Sequence, residues 1–323
     1  MLPHLRSGPG DRTGPPNRGS WVEEVSTGVP EWQNFQPFIV SGLALGGVYS
    51  LSGVGMVVLY RTTGVLNLAF GAVGAMGAFI AWSLVNTYGW PEALAYLVCV
   101  GFGAVISLVY GILAGPPLAG RDPLVKAAAT IGLALILLGA MSWIWSDKAR
   151  SLVLPTTTWR YSVGEVFINW TQIIALALGV LVTLATAAFL RRTGLGTAMR
   201  ALANDREITA ALGVPVRRVE AITWLVSGAL AGAAGLLLSN LVGLDAATLT
   251  FLVISSLAAA LIARLRSLVV TLLAGIVIGL VNAMVTPIFS ISSYRDMTPF
   301  VLAAVALLFL SRHQQISFAR RNR

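Results

Sequence analysis

The sequence predicts an all-α polytopic membrane protein of about eight to nine transmembrane helices with one polar cytoplasmic helix. Two observations carry that prediction. Hydrophobic residues make up 56% of the chain and charged residues only 11%, against roughly 25% charged in a soluble domain. The apolar residues are also gathered into successive stretches, several of them near the roughly 20 residues that a membrane-crossing helix needs. A third observation fixes the organisation. Between Phe38 and Leu310, one segment, Arg191–Arg218, interrupts the apolar pattern with six arginines and two acidic residues.

Residues 1–36 are rich in Pro, Gly, Arg and Glu and lack an apolar core, so they predict a disordered polar tail and not a signal peptide. A start codon assigned too far upstream would give the same pattern. The membrane domain is then 37–312, and 313–323 is a basic tail. Spans are expected at Phe38–Tyr60, Val65–Val85, Ala93–Ala114, Leu124–Trp145, Trp170–Leu190, Val219–Val242, Leu249–Ala263, Leu268–Val285 and Pro299–Leu310. The segments starting at Leu249 and Pro299 are short, and each is expected to be tilted, re-entrant or extended by its flanks.

Charge in the alternating loops sets the orientation. Fifteen Lys and Arg fall on the side of the Arg191–Arg218 loop and seven on the other, while four acidic residues fall on the first side and nine on the second. The first side is therefore expected in the cytoplasm, with the N-terminus outside and the C-terminus inside. Trp82, Tyr88, Trp90, Trp143, Trp145, Trp159, Tyr161 and Trp170 then gather at the outer boundary, where aromatic side chains favour the interface. On this reading the formal charge of +9 reflects topology and implies no nucleic acid. Glycines spaced at four, Gly42 with Gly46 and Gly228 with Gly232, are expected to let helices pack closely.

The central segment has a helical grammar of its own. Asn204 or Asp205 can cap a short helix, and Glu207 lies near its positive end. Gly213 ends it and Pro215 prevents its resumption. Ile208, Ala211 and Leu212 share a face. Such a helix is either a docking device or a loop resting on lipid headgroups.

Elsewhere the sequence excludes more than it offers. No ionisable residue lies near the middle of a predicted span, which disfavours ion-coupled transport. There is no phosphate-binding loop, so the chain is not expected to hydrolyse ATP. His4 and His313 lie in the tails and the single cysteine, Cys99, lies in an apolar run, so no metal, cofactor or enzyme activity is expected. The main polar exception is Gly64-Val65-Leu66-Asn67-Leu68-Ala69-Phe70-Gly71. An amide there must find partners. It either bonds a neighbouring helix or marks a broken helix lining a path, with Gly64, Gly71, Gly74 and Gly77 beside it.

These residues also carry a resemblance. Gly42–Leu51 followed by Tyr60–Gly71, the second similar to an "iNFAHGe" signature, resembles the membrane permease subunits of bacterial ABC importers for branched-chain amino acids. That broad family includes urea and short-chain amide permeases. The central loop is similar to the family's coupling segment at Thr193–Gly196, Met199–Ala201, Asp205, Ala210 and Leu212-Gly213, and Ser293–Asp296 resembles its "eYkd". The resemblance covers residues 36–312. It implies that Arg200, Asp205, Glu207, Ile208, Ala210, Leu212 and Gly213 couple to ATP-binding subunits, and that Gly64, Asn67, Phe70, Gly71 and Gly74 are candidates for the substrate path.

Three departures stand out. The signature's His is Phe70 and its Phe is Leu68; glycines of a cytoplasmic turn are Ala263, Arg264 and Arg266; and Ser311–Gln314 replaces a terminal Arg-Pro-x-Gly. The expected partners are two ATP-binding subunits, a second related permease subunit, an extracytoplasmic solute-binding protein and membrane lipid. The expected solute is a branched-chain amino acid or another small, net-neutral molecule, with urea or an amide as the alternative. The rival outside this class is an ATP-independent channel.

Overall fold

The structure is a computed structural model that describes residues 35–146, 148, 150–152, 154–158, 160–163, 166–287, 297–298, 300–305 and 308. The chain folds into helices α1 (Gln36–Thr63), α2 (Phe70–Asn86), α3 (Glu92–Leu118), α4 (Pro123–Trp145) and α5 (Pro155–Thr158). A short antiparallel hairpin follows, β1 (Arg160–Val163) with β2 (Val166–Asn169), Arg160 opposite Asn169. The remainder is α6 (Trp170–Arg192), α7 (Gly194–Asn204), α8 (Arg206–Ala211), α9 (Val216–Val242), α10 (Ala246–Phe251), α11 (Val253–Ile262) and α12 (Leu268–Val285). Six helices, α1, α3, α4, α6, α9 and α12, are long and apolar enough to cross a membrane. The all-α membrane architecture holds, and the hairpin is a small addition to it.

The hub is α1, with 89% of its most apolar 18-residue window buried. Its small residues leave no side-chain bulk between it and its neighbours, so backbones approach on several sides. A Cβ at Gly46 would lie 2.6 Å from Ile276 Cα of α12, and one at Gly47 would lie 2.6 Å from Leu176 Cα of α6. Ser50 Oγ donates to the Leu272 carbonyl at 2.8 Å, and Ser227 Oγ of α9 donates to the Gly55 carbonyl at 3.2 Å. The spaced glycines therefore serve helix packing: Gly42 and Gly46 face Gly279 and Gly275, and Gly228 and Gly232 face Gly103 and Cys99 of α3. By contrast, only 17% and 22% of the equivalent windows of α3 and α4 are buried. Their outer faces expose Leu97, Ile112, Leu135 and Ile136, as lipid-facing helices do.

Two expected boundaries move, and a third lies outside the described residues. The span expected at Val65–Val85 starts at Phe70, because 65–69 is a non-helical connection whose Gly64 takes a left-handed φ of 67° to end α1. The span expected at Leu249–Ala263 begins at Ala246, after the Asp245 cap, and is broken at Leu252 into α10 and α11. Of Pro299–Leu310, residues 300–305 are helical, while Pro299 and the Ser293–Asp296 motif lie outside the described residues.

The two ends of the bundle differ chemically. One carries Arg61, Lys126, Arg191, Arg200, Arg206 and Arg266. The other carries the aromatics: Trp145 Nε1 donates to Ser83 Oγ at 2.6 Å, and the Arg150 guanidinium lies 4.2 Å from the Trp82 ring centre.

Candidate functional site

At the basic end, the central segment forms two helices with different surroundings. Thr193 caps α7, its hydroxyl accepting from Gly196 N at 3.0 Å. Helix α7 then buries Gly196, Met199 and Leu202. Met199 and Leu202 join a cluster containing Val54, Val57 and Val58 of α1, Leu190 of α6, Val219 of α9, Ala260 of α11 and Leu268 of α12. One short helix thus packs against the basic ends of α1, α6 and α9, in a cluster that α11 and α12 complete. Asp205 caps α8, with Oδ1 accepting from Glu207 N and Ile208 N, both at 2.9 Å. A carboxylate there also opposes the positive helix end. Gly213, at φ 85°, turns the chain after α8. Arg206 clasps Glu220 of α9 through two bonds of 3.0 and 3.3 Å, tying α8 to the next span.

What α8 presents is apolar. Ile208 is 61% exposed and Leu212 77% exposed, on a polar end of the molecule where nothing among the described residues covers them. Glu207 and Ala210 are exposed beside them. Next to this helix lies a cavity of about 780 Å³, lined by Arg61 to Gly64 on one side and by Arg206, Arg264 and Arg266 on the others. Arg264 and Leu265 adopt left-handed φ values of 52° and 54° in the turn that ends α11. That geometry favours glycine and costs a residue with Cβ about 1–2 kcal/mol. The turn persists although Arg264 occupies a place where the resembled pattern has glycine.

Within the bundle, α2 meets α9, α10 and α11 around a narrow cavity of about 10 Å³, lined by Ser52, Phe70, Gly71, Gly74 and Ser256 among others. The Ser256 hydroxyl is buried without a hydrogen-bond partner among the described residues, as is that of Thr250 nearby on α10. Buried polar groups are rarely left unpaired, and the cavity in this packing is no larger than about one water. A larger cavity of about 400 Å³ lies across the α10–α11 break, where Thr248, Ser255 and Asn282 contribute polar atoms between Phe251 and Phe300.

A family described as "Branched-chain amino acid transport system / permease component" matches residues 38–310. The chain belongs to that family. Among curated relatives, it is 29% identical over 236 residues to the high-affinity branched-chain amino acid transport system permease protein BraD of Pseudomonas aeruginosa, covering 69% of this chain and 77% of the relative. It is 26% identical over 284 residues to LivH of Salmonella typhimurium, a permease protein of the same printed description, covering 84% and 92%. A more distant relative is the fructose import permease protein FruG of Bifidobacterium longum, 26% identical over 215 residues, 63% of this chain and 60% of the relative.

In this permease the residues singled out from sequence separate into five places. Asp205, Glu207, Ile208, Ala210, Leu212 and Gly213 lie together on or beside α8, whereas Arg200 lies on α7 and lines a different cavity with Arg61, Arg191 and Arg266. Phe70, Gly71 and Gly74 line the narrow cavity, and Gly64 lines the basic one. Asn67 lines neither. It is 2% exposed, and its Oδ1 accepts from Ala69 N at 3.0 Å, which stabilises the turn into α2. The break itself is stitched to α4, because Thr130 Oγ1 donates to Leu66 O and accepts from Leu68 N. Sequence reading passed over Ser52, Ser255 and Ser256. Their signal was present as hydroxyls within apolar stretches, but which of them face a cavity depends on the packing of distant helices.

Proposed function

We propose that this permease is the membrane subunit of an ATP-driven importer. Its basic end would face the cytoplasm, with the N-terminus outside and the C-terminus inside. The observation that carries the reading is α8: a capped helix with an exposed apolar pair, mounted on α7, which is packed against the ends of α1, α6 and α9. An ATP-binding subunit receives Ile208 and Leu212, and its closure moves α7 as a lever against the hub helix, biasing two packings of the bundle. Asp205, Glu207, Ala210 and Gly213 shape that contact, and Arg200 braces α7 behind it. The 64–69 connection, Gly64 and Asn67 included, sets where α2 begins. The path runs past Phe70, Gly71 and Gly74 with the Ser52 and Ser256 hydroxyls.

The solute is a branched-chain amino acid or a similar small net-neutral molecule, which accords with relatives named for branched-chain amino acid transport and with the uncharged cavity walls. A second permease subunit completes the path, and an external binding protein delivers the solute. The test is affinity purification from native membranes in mild detergent, with Ile208→Asp as the comparison, followed by uptake of leucine, urea and fructose. An ATP-binding subunit that accompanies the wild type and is lost with Ile208→Asp supports the reading. A wild type that purifies alone and conducts solute without ATP sinks it.

A further inference from the structure

The basic end holds a second cavity, of about 270 Å³, which shares Arg61 and Arg266 with the first. It opens where the end of α6, the outer side of α7 and the start of α12 converge. Four arginines, Arg61, Arg191, Arg200 and Arg266, line it with Ser267, and the remainder of the wall is apolar. No Asp or Glu is among the lining residues. Among the described residues none of the four arginines pairs with a carboxylate. Arg61 donates to the Arg266 carbonyl at 3.2 Å, and Arg200 donates to the Thr197 hydroxyl at 3.3 Å. Four guanidinium groups gathered around so small a space repel one another until an anion enters. Their planar, multiply donating heads suit phosphate oxygens.

The apolar wall narrows the choice of anion. Val269, at the cavity, begins a stripe on α12 that continues through Leu273 and Val277 toward the membrane interior, and the three are 49%, 58% and 53% exposed. A soluble phosphate or an acidic protein loop would use the arginines and leave the stripe bare. A molecule with a phosphate head and a hydrocarbon tail uses both. We propose that this crevice binds an anionic phospholipid of the leaflet at the basic end, its phosphodiester among Arg61, Arg191, Arg200 and Arg266 and an acyl chain along Val269, Leu273 and Val277. Basic pockets between membrane helices are suited to such headgroups. The lipid joins α1, α6, α7 and α12 at the root of the α7 lever, so the identity of the leaflet's lipids sets how firmly that lever is held. The inference stands apart from which solute the permease carries.

The test is native mass spectrometry of the full-length protein in mild detergent with phosphatidylglycerol, phosphatidylcholine or inorganic phosphate added. The expected result is preferential retention of phosphatidylglycerol. The double variant Arg191→Gln/Arg266→Gln should lower it on the order of tenfold. Arg217→Gln/Arg218→Gln, which removes the same charge from the exposed start of α9, should leave it near the wild-type level. Leu273→Trp, at an exposed position, should lower retention with every arginine in place. Equal losses in the two arginine pairs would mean diffuse surface attraction and overturn the site. Displacement of the lipid by equimolar inorganic phosphate would make it a free-anion site, and equal retention of phosphatidylcholine would remove the role of charge.

Discussion

Helices α7 and α8 are consecutive, share the basic end of the molecule and are built from similar small and apolar residues, yet they are held in opposite ways. In α7 the apolar side chains are inside: Met199 is 3% and Leu202 5% exposed. In α8 they are outside, with Ile208 and Leu212 largely bare. Among the described residues, a capping carboxylate, the buried Thr209 and the Arg206–Glu220 clasp fasten α8 to the rest. The contrast separates two jobs that a single amphipathic helix would have to combine. One helix is committed to the bundle, and the other keeps its apolar surface free for a partner.

The largest effect should come from giving both helices the same insult. Met199→Asp places a carboxylate in the buried cluster that ties α7 to the bundle, a change that costs several kcal/mol. Little folded protein should survive size-exclusion chromatography. Ile208→Asp should change the thermal midpoint little, corresponding to less than about 0.5 kcal/mol, because the site is already in water. It should nevertheless abolish capture of the ATP-binding subunit. Equal damage from the two would show that α8 is packed like α7, and the distinction would be lost.

A lever needs a stiff support, and the next effect probes it. Gly46→Val puts side-chain atoms where the α12 backbone already lies, so overpacking should cost about 1–3 kcal/mol and lower the thermal midpoint. Gly194→Ala, at the start of α7 where an added Cβ meets nothing within 4 Å, should be neutral or slightly stabilising. A midpoint unchanged by Gly46→Val would mean that α1 and α12 can separate at little cost. The hub would then be too soft to receive a push.

The contrast between the two helices was only half legible in the sequence. The cap at Asp205 and the stop at Gly213 could be read because capping is local chemistry carried by a few neighbouring residues, and both stand where expected. Helix α7 could not be read so directly. Its cap at Thr193 and the spacing of Leu195, Met199 and Leu202 were present, but Gly194 and Gly196 concealed a helix whose stability comes from burial against α1, α6 and α9. Asn67 shows the opposite error. The connection 65–69 is mostly apolar, so average hydropathy merged it with α2, although Gly64 already marked the end of α1. The break at Leu252 has neither glycine nor proline to announce it, and it is slight, since Leu252 keeps helical angles of φ −61° and ψ −15°.

Removing the cap should have a smaller, local effect. Asp205→Ala leaves two amides of α8 without their acceptor, which costs about 1 kcal/mol of helix stability. Because α8 lies outside the packed cluster, the global melt should barely move. Hydrogen exchange at Glu207 to Ala210 should accelerate while exchange along α7 stays unchanged. Acceleration in both helices would mean that they open as one unit.

The smallest effect concerns the clasp. Arg206 is 45% and Glu220 17% exposed at the side chain, so solvent screens much of their attraction. A pair of this kind contributes about 0.2–1 kcal/mol. A double-mutant cycle of Arg206→Gln and Glu220→Gln should return a coupling energy within that range by thermal or denaturant melting. Its mechanical role can exceed its thermodynamic one, because the pair is the side-chain bridge from α8 to the long span α9. If it transmits motion, either single variant should retain the ATP-binding subunit yet lower solute-stimulated ATP hydrolysis in the assembled importer, with no further loss in the double variant. If α7 alone carries the motion, hydrolysis and uptake should stay coupled as in the wild type. The clasp would then be a positional tether and nothing more.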